Sequence, residues 1–388
     1  GLVIGKYGQL EWQPNGHYTF FNNFDAVDTL AQSERAYDIY RYTVSDRQGA
    51  LTVDSLVITI IGANDRPVAV NDSILIYEDE GFVDIYPDSN GLLWNDYDVD
   101  GDSIYISLDE NTVLIDGKYG SLSISATGEA SYTMNNEIDS LASNQNVKDI
   151  FDYTLFDVLG SSSKAKVIIN IVGNNDLPVV PDVFVKTDED FDSIVATIDS
   201  EYALLFAASD IDGDTLNVIE VNDSTGSFVQ GVYGNLIWQN NGSYVFENNL
   251  LTTQPLMQGD TVYEQFTFVV ADPFEGFDTA MFTIEILGLN DAPWASPDFY
   301  ETIENNRVAL ASSMPDHILY NDIDIDGDDF EIINVNQYTS KSVNGEYGRL
   351  NWQPDGSFEY LPDTLIAMAL RPGETLTEVF VYEVEDIY

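Results

Sequence analysis

The chain repeats itself at the length of a whole domain. A Gly-x-Tyr-Gly tetrapeptide begins at Gly5, Gly117, Gly231 and Gly345, so the offsets are 112, 114 and 114 residues. An acidic Asp-x-Asp-Gly-Asp loop and an Asn-Asp-x-Pro tetrad recur in the same phase. Solenoid repeats are only about 20 to 50 residues long. Each repeat is therefore predicted to fold around a core of its own.

The Asn-Asp-x-Pro tetrads, which begin at Asn64, Asn175 and Asn290, mark the predicted boundaries. Proline fixes its own φ and restricts the residue before it, which suits a linker. The predicted domains are the C-terminal part of a truncated repeat at 1–65, complete repeats at 66–176 and 177–291, and a repeat at 292–388 that lacks its last strand. We expect the sequence to be a piece of a longer array.

Within a repeat the hydrophobic pattern has a period of two. Runs such as 40–44 and 167–171 are rich in β-branched and aromatic residues and are separated by Gly, Asn and Asp. About seven short strands in roughly 110 residues indicate an antiparallel sandwich. The predicted fold class is all-β, a tandem array of Greek-key antiparallel β-sandwich domains of the cadherin or immunoglobulin type.

Composition excludes several classes of function. Lys and Arg number 14 against 67 Asp and Glu, a net charge of −53, so nucleic acid is not an expected partner. No apolar run approaches the roughly 18 residues of a membrane span. The chain has no Cys and two His, which leaves little for thiol or imidazole chemistry. Because the acidic groups recur in every repeat, they are poor candidates for one active site, and no enzyme is predicted.

The acidic loops are predicted to bind calcium. Asp96, Asp98 and Asp100 occupy alternate positions before Gly101, which permits a sharp turn. An EF-hand would need Glu where Ser107 stands, so that motif is rejected. The alternative is a solvated acidic turn. Two carboxylates about 4 Å apart repel by about 4 kcal/mol at an effective dielectric near 20, so three in one loop favour a bound cation.

Topology predicts where the ions lie. The loops after the second and sixth strands of a sandwich share the end at which the preceding linker enters, and the acidic pairs after the first strand could reach forward to the next linker. The first junction is predicted to use Asn64, Asp65, Asp96, Asp98, Asp100, Asp102 and Asp157. The second is predicted to use Glu78, Asp79, Asn175, Asp176, Asp210, Asp212, Asp214 and Asp272. The third is predicted to use Glu189, Asp190, Asn290, Asp291, Asp322, Asp324, Asp326, Asp328 and Asp386.

The second junction is expected to be the weakest. The middle repeat has Ala207 and Ala208 where the others have Asn95-Asp96 and Asn321-Asp322. Calcium affinity depends on the number of charged ligands. Replacing Ala208 with Asp is accordingly expected to tighten calcium binding there.

These motifs resemble two known families. Residues 5–67 resemble the VCBS repeat through Gly-x-Tyr-Gly-x-Leu, Tyr-Thr-Val-Ser-Asp and the closing Ile-x-Gly-x-Asn-Asp-x-Pro. Residues 68–102 resemble the bacterial cadherin-like tandem domains of large RTX-type surface adhesins, through Glu78-Asp79 and the acidic loop. The resemblance implies an extracellular, calcium-rigidified extender of a bacterial cell-surface or secreted adhesin, exported by type I secretion and supporting adhesion or biofilm formation.

The resemblance also implies which partners to expect. These are calcium ions, neighbouring repeats of the same chain, and surface glycans or proteins bound through other domains. The alternative function is that the repeats themselves bind glycans or proteins. The first residues to suspect in that case are Tyr7, Tyr119, Tyr233 and Tyr347.

Overall fold

The computed structural model describes residues 1–85, 91–108, 112–304 and 306–388. Residues 1–65 contain β1 Leu2–Ile4, β2 Gly8–Trp12, β3 Tyr18–Asn22, α1 Phe24–Val27, β4 Arg35–Ser45 and β5 Leu51–Ile61. Residues 66–176 contain β6 Asp72–Tyr77, a 3₁₀ turn at Glu78–Glu80, β7 Phe82–Ile85, β8 Ile104–Ile106, β9 Thr112–Asp116, β10 Gly120–Ser125, β11 Ala130–Met134, β12 Asn146–Asp157 and β13 Ser162–Val172.

The second half of the chain repeats this order. Residues 177–291 contain β14 Val183–Asp188, β15 Ser193–Ala196, β16 Asn217–Val221, β17 Phe228–Gln230, β18 Gly234–Trp238, β19 Tyr244–Asn248, α2 Leu250–Thr253, β20 Thr261–Ala271 and β21 Phe277–Leu287. Residues 292–388 contain β22 Val308–Leu310, β23 Glu331–Val335, β24 Ser342–Asn344, β25 Gly348–Trp352, β26 Phe358–Pro362, α3 Thr364–Ala367 and β27 Tyr382–Glu385.

Two four-stranded sheets form each sandwich in residues 66–176 and 177–291. The first sandwich pairs its strands in the orders β6-β13-β12-β8 and β7-β11-β10-β9, and the second in the orders β14-β21-β20-β16 and β15-β19-β18-β17. The first strand runs parallel to the last in both, β6 with β13 and β14 with β21, and the other pairs within these sheets are antiparallel. The predicted all-β sandwich fold is confirmed, with eight strands among the described residues of each rather than about seven.

Alternating side chains of the two sheets meet in the core. On β13, Val167, Ile169 and Ile171 are fully buried and pack with Leu122 and Tyr132 of the opposite sheet. The middle repeat has a core of larger rings, including Trp238, Phe246, Phe266, Phe268 and Phe282. Each such side chain contributes about 1.5–3 kcal/mol by leaving water, so each complete repeat carries its own core.

The Gly-x-Tyr-Gly motif is a structural turn that a buried acid holds in place. The backbone N–H groups of Lys118 and Tyr119 donate to the Asp149 carboxylate, each at 3.0 Å, and the Tyr132 hydroxyl donates to it at 2.7 Å. A Cβ on Gly117 would lie 2.2 Å from Asp149 Oδ2, which explains the glycine. Asp38, Glu264 and Glu378 accept from the same turn in the other copies.

The chain divides into two compact units. Unit 1 comprises Gly1–Asp176 with Ile211–Asp214, and unit 2 comprises Leu177–Asp210 with Thr215–Tyr388. The finer division at 65, 176 and 291 stays a prediction. In the described part of the chain, no helix has the length and apolar character needed to cross a membrane.

Candidate metal centres

The acidic loops follow the second strand of each sandwich and fold into tight turns. In unit 1, residues 98–102 lie between β7 and β8. Gly101 has a φ of 80°, in the left-handed region that glycine adopts without steric cost. The Asp98 carboxylate accepts the backbone N–H of Asp100 at 2.9 Å and that of Asp102 at 3.4 Å. These local hydrogen bonds curl the loop and bring its own carboxylates together.

The three loop carboxylates of unit 1 form a cluster. Asp98, Asp100 and Asp102 each direct an oxygen to within 4.8 Å of the other two. One oxygen of each is buried without a hydrogen-bond partner. Burial raises the pKa of Asp102, and the charges of Asp98, Asp100 and Asp157 raise it further. Such a group of buried, unsatisfied anions is costly unless a cation compensates it.

The linker residues are hydrogen-bonded to the loop and to the strand beside it. The Asp65 N–H donates to Asp100 at 2.8 Å, and the Asn64 side-chain amide donates to Asp157 at 2.8 Å. The amide oxygen of Asn64 is buried without a partner. Burial raises the pKa of Asp65, and the carboxylates of Asp100, Asp28 and Asp98 add to that shift. Linker, loop and the end of β12 therefore meet at one pole of the sandwich.

Unit 2 repeats this arrangement at its own linker. The Asp291 N–H donates to Asp326 at 2.8 Å, and the Asn290 amide donates to Asp386 at 3.1 Å. Asp324, Asp326 and Asp328 form the loop cluster. Buried oxygens without a partner belong here to Asn290, Asp291, Asp324, Asp326 and Asp328. The same arrangement of linker and loop thus occurs at both linkers.

Glu189, which directly follows β14, joins the cluster at the linker after its own repeat. Glu189 is 0% exposed, one of its oxygens accepts the Leu289 N–H at 2.6 Å, and the other is buried without a partner. Its carboxylate lies with those of Asp291 and Asp326, each within 4.8 Å of the others. Burial raises the pKa of Glu189 to about 7, with further contributions from Asp326, Asp291 and Asp190.

Glu78 makes the equivalent arrangement in unit 1. It accepts the Asn174 N–H at 2.5 Å, and its other oxygen is buried without a partner. Its carboxylate groups with those of Asp176 and Asp212. Burial raises the pKa of Glu78 to about 7, and Asp176 and Asp212 raise it further. The glutamate after the first strand of a repeat thus reaches the linker that follows that repeat.

The sequence pattern of the bacterial cadherin-like domain matches residues 64–173 and 290–387, more than half of the chain. The chain belongs to the bacterial cadherin-like domain family. The pattern of a second family, the bacterial Ig domain, matches residues 175–285 between the two cadherin-like repeats. Neither matching family is a family of enzymes.

Individual proteins are similar to parts or all of the chain. The calcium-binding lectin RapA2 of Rhizobium johnstonii is 26% identical over 183 residues, which cover 45% of this chain and 76% of that protein. Among solved structures, domains 1–4 of protocadherin gamma B7 match with a TM-score of 0.45 at 10% identity, over 99% of this chain and 91% of that one. Domains 1–5 of protocadherin gamma B2 match with a TM-score of 0.46 at 15% identity, over 93% and 66%.

The residues predicted for the second junction fall in both units. Asp212 accepts the Asp176 N–H at 2.9 Å, and both belong to unit 1 together with Asp214 and Asn175. Asp210 and Asp272 belong to unit 2. Asp272 accepts the N–H groups of Phe274 and Gly276.

Four predicted ligands lie apart from the clusters. Asp79 is exposed and accepts from the Asn174 amide at 2.7 Å, and Asp190 is exposed and accepts from the Gln254 amide at 3.3 Å. The side chains of Asp96 and Asp322 turn into the domain instead of towards the loop. The structure places none of the four in the carboxylate clusters of the described chain.

The position of Asp96 contradicts the prediction that Ala208 of the middle repeat marks a lost calcium ligand. Its oxygens accept from Val70 N–H at 2.7 Å and from the Tyr153 hydroxyl at 3.0 Å, so it serves the interior of the domain. Ala208 therefore does not represent a lost loop ligand. The expectation that Ala208→Asp would tighten calcium binding loses its structural basis, because the new carboxylate would be directed into the apolar core.

The donor set of these clusters fits a hard divalent cation. It consists of carboxylate and amide oxygens alone, which is the ligand chemistry of calcium. In the described chain, the ion pairs join Lys166 to Asp152, Lys186 to Glu285 and Arg307 to Glu359, and none involves a loop carboxylate of 98–102 or 324–328. A bound divalent cation would supply the positive charge that these ion pairs do not.

Proposed function

We propose that this chain is a calcium-rigidified extender of a bacterial cell-surface or secreted adhesin. One observation carries the proposal: the linker residues Asp65 and Asp291 are hydrogen-bonded to the loops of the repeats that follow them, among buried oxygens that have no partner. Calcium would supply the charge that holds these oxygens together. Its ligands would come from the linker, the loop of one repeat and the glutamate of the repeat before.

The same residues explain how the ion would stiffen the array. Without calcium, carboxylates about 4 Å apart repel by about 4 kcal/mol at an effective dielectric near 20, which favours an open joint. With calcium, Glu189, Asp291 and Asp326 would hold the end of one repeat, the linker and the next loop to one ion. Extracellular calcium modules bind with Kd values of about 10⁻⁴–10⁻³ M, so millimolar calcium would close the joints.

The comparisons support the adhesion context. Membership of the bacterial cadherin-like family and similarity to a protein named as a calcium-binding lectin both fit an extracellular, adhesion-related role. Neighbouring repeats are the immediate partners in this proposal. The resemblance to adhesins extends the proposal to export by type I secretion and to a contribution to biofilm formation.

Thermal unfolding of the 388-residue chain tests the proposal. We expect the melting temperature to rise by several degrees or more between chelator and millimolar calcium, because an ion that binds only the folded state adds RT ln(1 + [L]/Kd) to its stability. Magnesium at the same concentration is the control and should have a smaller effect, because it demands octahedral geometry and keeps its water. Identical melting curves in calcium and chelator would contradict the proposal.

A second candidate function is glycan binding by the repeats themselves. Trp94, Phe206 and Tyr320 occupy one position of three successive repeats and are 69%, 57% and 60% exposed. Exposed rings at one repeated position could stack on sugars. The residues first suspected for this role are less suitable: Tyr7, Tyr119, Tyr233 and Tyr347 are half-buried.

A glycan array probed with the whole chain in calcium tests this alternative. Binding that disappears in the Trp94→Ala, Phe206→Ala, Tyr320→Ala triple variant would favour it. The matched control is Tyr97→Ala, which removes an exposed ring at another position of the first repeat. No binding by the wild-type chain, or equal binding by the triple variant, would exclude these rings as the glycan site.

A further inference from the structure

A buried polar anchor lies directly beneath the junction in residues 66–176. Asp96 accepts Val70 N–H at 2.7 Å and the Tyr153 hydroxyl at 3.0 Å, and the Tyr153 hydroxyl oxygen also lies 3.1 Å from Val70 O. Asp72 is buried beside this pair and interacts with both. The anchor therefore ties the strand entering the repeat to the segment that precedes the acidic loop and to β12.

The last repeat contains the same anchor. Asp322 accepts Ser296 N–H at 2.7 Å and the Tyr382 hydroxyl at 3.1 Å. Tyr382 also contacts Ser296 O at 2.9 Å and Asp298 at 3.2 Å. The set Asp72, Asp96 and Tyr153 thus corresponds to the set Asp298, Asp322 and Tyr382.

The middle repeat replaces all three members together. Its residues at these positions are Val183, Ala208 and Phe268, and they pack in one hydrophobic core. A hydrogen-bonded set has become an apolar set, with no mixture of the two. Replacing one member alone would leave buried polar groups of the other two without a partner, which costs more than exchanging the whole set for apolar side chains.

Both kinds of anchor support the same backbone contact. A bridge joins Val68 to Tyr97 in the first complete repeat, Val179 to Ser209 in the middle one and Trp294 to Ile323 in the last. Val68 lies three residues after Asp65, and Tyr97 lies immediately before Asp98. The bridge therefore fixes the spacing between the linker and the start of the acidic loop, and the anchor underlies the bridge.

We propose that Asp72, Asp96 and Tyr153 are positioning residues, which hold the linker and the 98–102 loop in the arrangement that binds the ion. Val183, Ala208 and Phe268 would do the same by packing, so the two sets are interchangeable only as complete sets. The part of this inference that concerns calcium rests on the proposed function. The part that concerns the bridge does not.

Amide exchange across a calcium titration of the full chain tests the inference. We expect Asp96→Ala to raise the calcium concentration that half-protects residues 96–102 by about fivefold or more. Residues 322–328 are the internal control and should keep their midpoint. The triple variant Asp72→Val, Asp96→Ala, Tyr153→Phe should return the midpoint of 96–102 to within about twofold of wild type.

Exchange in chelator gives a readout that needs no ion. The amides of Val68 and Tyr97 should exchange faster in Asp96→Ala and recover in the triple variant, while the core amides of Val167 and Ile169 stay protected. Tyr153→Phe serves as the single variant if Asp96→Ala does not fold.

Three outcomes would overturn the inference. The first is a single variant whose calcium midpoint for residues 96–102 equals that of wild type. The second is a triple variant whose midpoint is as high as that of the single variant. The third is a single variant in which the core amides exchange faster by the same factor as the Val68 and Tyr97 amides. Wild-type loops that calcium does not protect would overturn the proposed function and the calcium part of the inference. The exchange rates of the Val68 and Tyr97 amides in chelator would then test the part of the inference that concerns the bridge.

Discussion

The junctions at Asp65 and Asp291 share a linker hydrogen bond, but at Asp291 two further carboxylates, those of Asp291 and Glu189, join the cluster. In both, the linker N–H donates to the central loop aspartate at 2.8 Å. At Asp291, Glu189 adds a fully buried carboxylate to the cluster. The counterpart of Glu189 for the junction at Asp65 would lie before residue 1, and among the described residues the cluster at Asp100 consists of the loop carboxylates of residues 98–102.

This difference separates two contributions to an ion site. The linker N–H makes the same hydrogen bond to the loop at both junctions, so that bond does not depend on the glutamate. The glutamate adds charge and connects the site to the preceding repeat. Affinity and mechanical coupling should therefore depend on the glutamate more than the loop conformation does.

The largest expected effect comes from removing that charge. Glu189→Gln should raise the half-saturating calcium concentration of residues 324–328 by about tenfold, or about 1.4 kcal/mol. Asp190→Asn is the matched control, because Asp190 is the exposed neighbour and should change the midpoint much less. The readout is amide exchange along a calcium titration. Equal effects of the two substitutions would show that the cluster around Glu189 is not the ion site.

A smaller difference should already exist in the wild-type chain. Residues 98–102 should need several times more calcium for half-protection than residues 324–328, because their cluster in this 388-residue chain lacks counterparts of both Asp291 and Glu189. The same titration measures both loops in one sample. A lower midpoint at 98–102 than at 324–328 would show that the additional carboxylates do not raise calcium affinity.

The smallest effect concerns a buried acid outside the clusters. Burial raises the pKa of Asp72 to about 7 and that of Asp298 to about 6. A carboxyl group with a raised folded-state pKa contributes stability that is complete below its unfolded value near 3.8 and is lost as pH rises through the folded value. In chelator, the free energy of unfolding should therefore fall between pH 5 and pH 8.

Asp72→Asn should reduce that fall by about 1 kcal/mol, because the amide does not ionise. Asp152→Asn, at an exposed position of the same repeat, is the control. Denaturant unfolding at the two pH values measures the difference. If Asp72→Asn leaves the pH dependence of unfolding unchanged, that dependence comes from other carboxyl groups. Glu78 and Glu189, which belong to the carboxylate clusters, would then be its source.

Much of this architecture follows from the sequence. The repeat length and the period of two determine the sandwich, and strand alternation brings Asn64, Asp100 and Asp157 to one pole. The prediction that Glu78 and Glu189 reach the following linker requires only that a first strand run from one pole to the other. These predictions depend only on direction and spacing along strands, which the sequence pattern contains.

The role of Asp96 could not be read from spacing. Alternate positions of Asp96, Asp98 and Asp100 suggest one common function, but a tyrosine 57 residues later in the chain draws Asp96 into the interior. A comparison of the repeats would have revealed the pairing of Asp96 with Tyr153. Wherever Asp96 has a counterpart carboxylate, Tyr153 has a counterpart tyrosine, and where the middle repeat has Ala208 it also has Phe268.

Small-angle X-ray scattering of the 388-residue chain tests the central claim most directly. We expect the profile in millimolar calcium to be that of a rigid particle, and the profile in chelator to be that of a flexible chain of domains. The Glu78→Gln, Glu189→Gln variant should need more calcium to make the transition, whereas Asp79→Asn, Asp190→Asn should behave like wild type. Equal flexibility of the wild-type chain in calcium and in chelator would contradict the account.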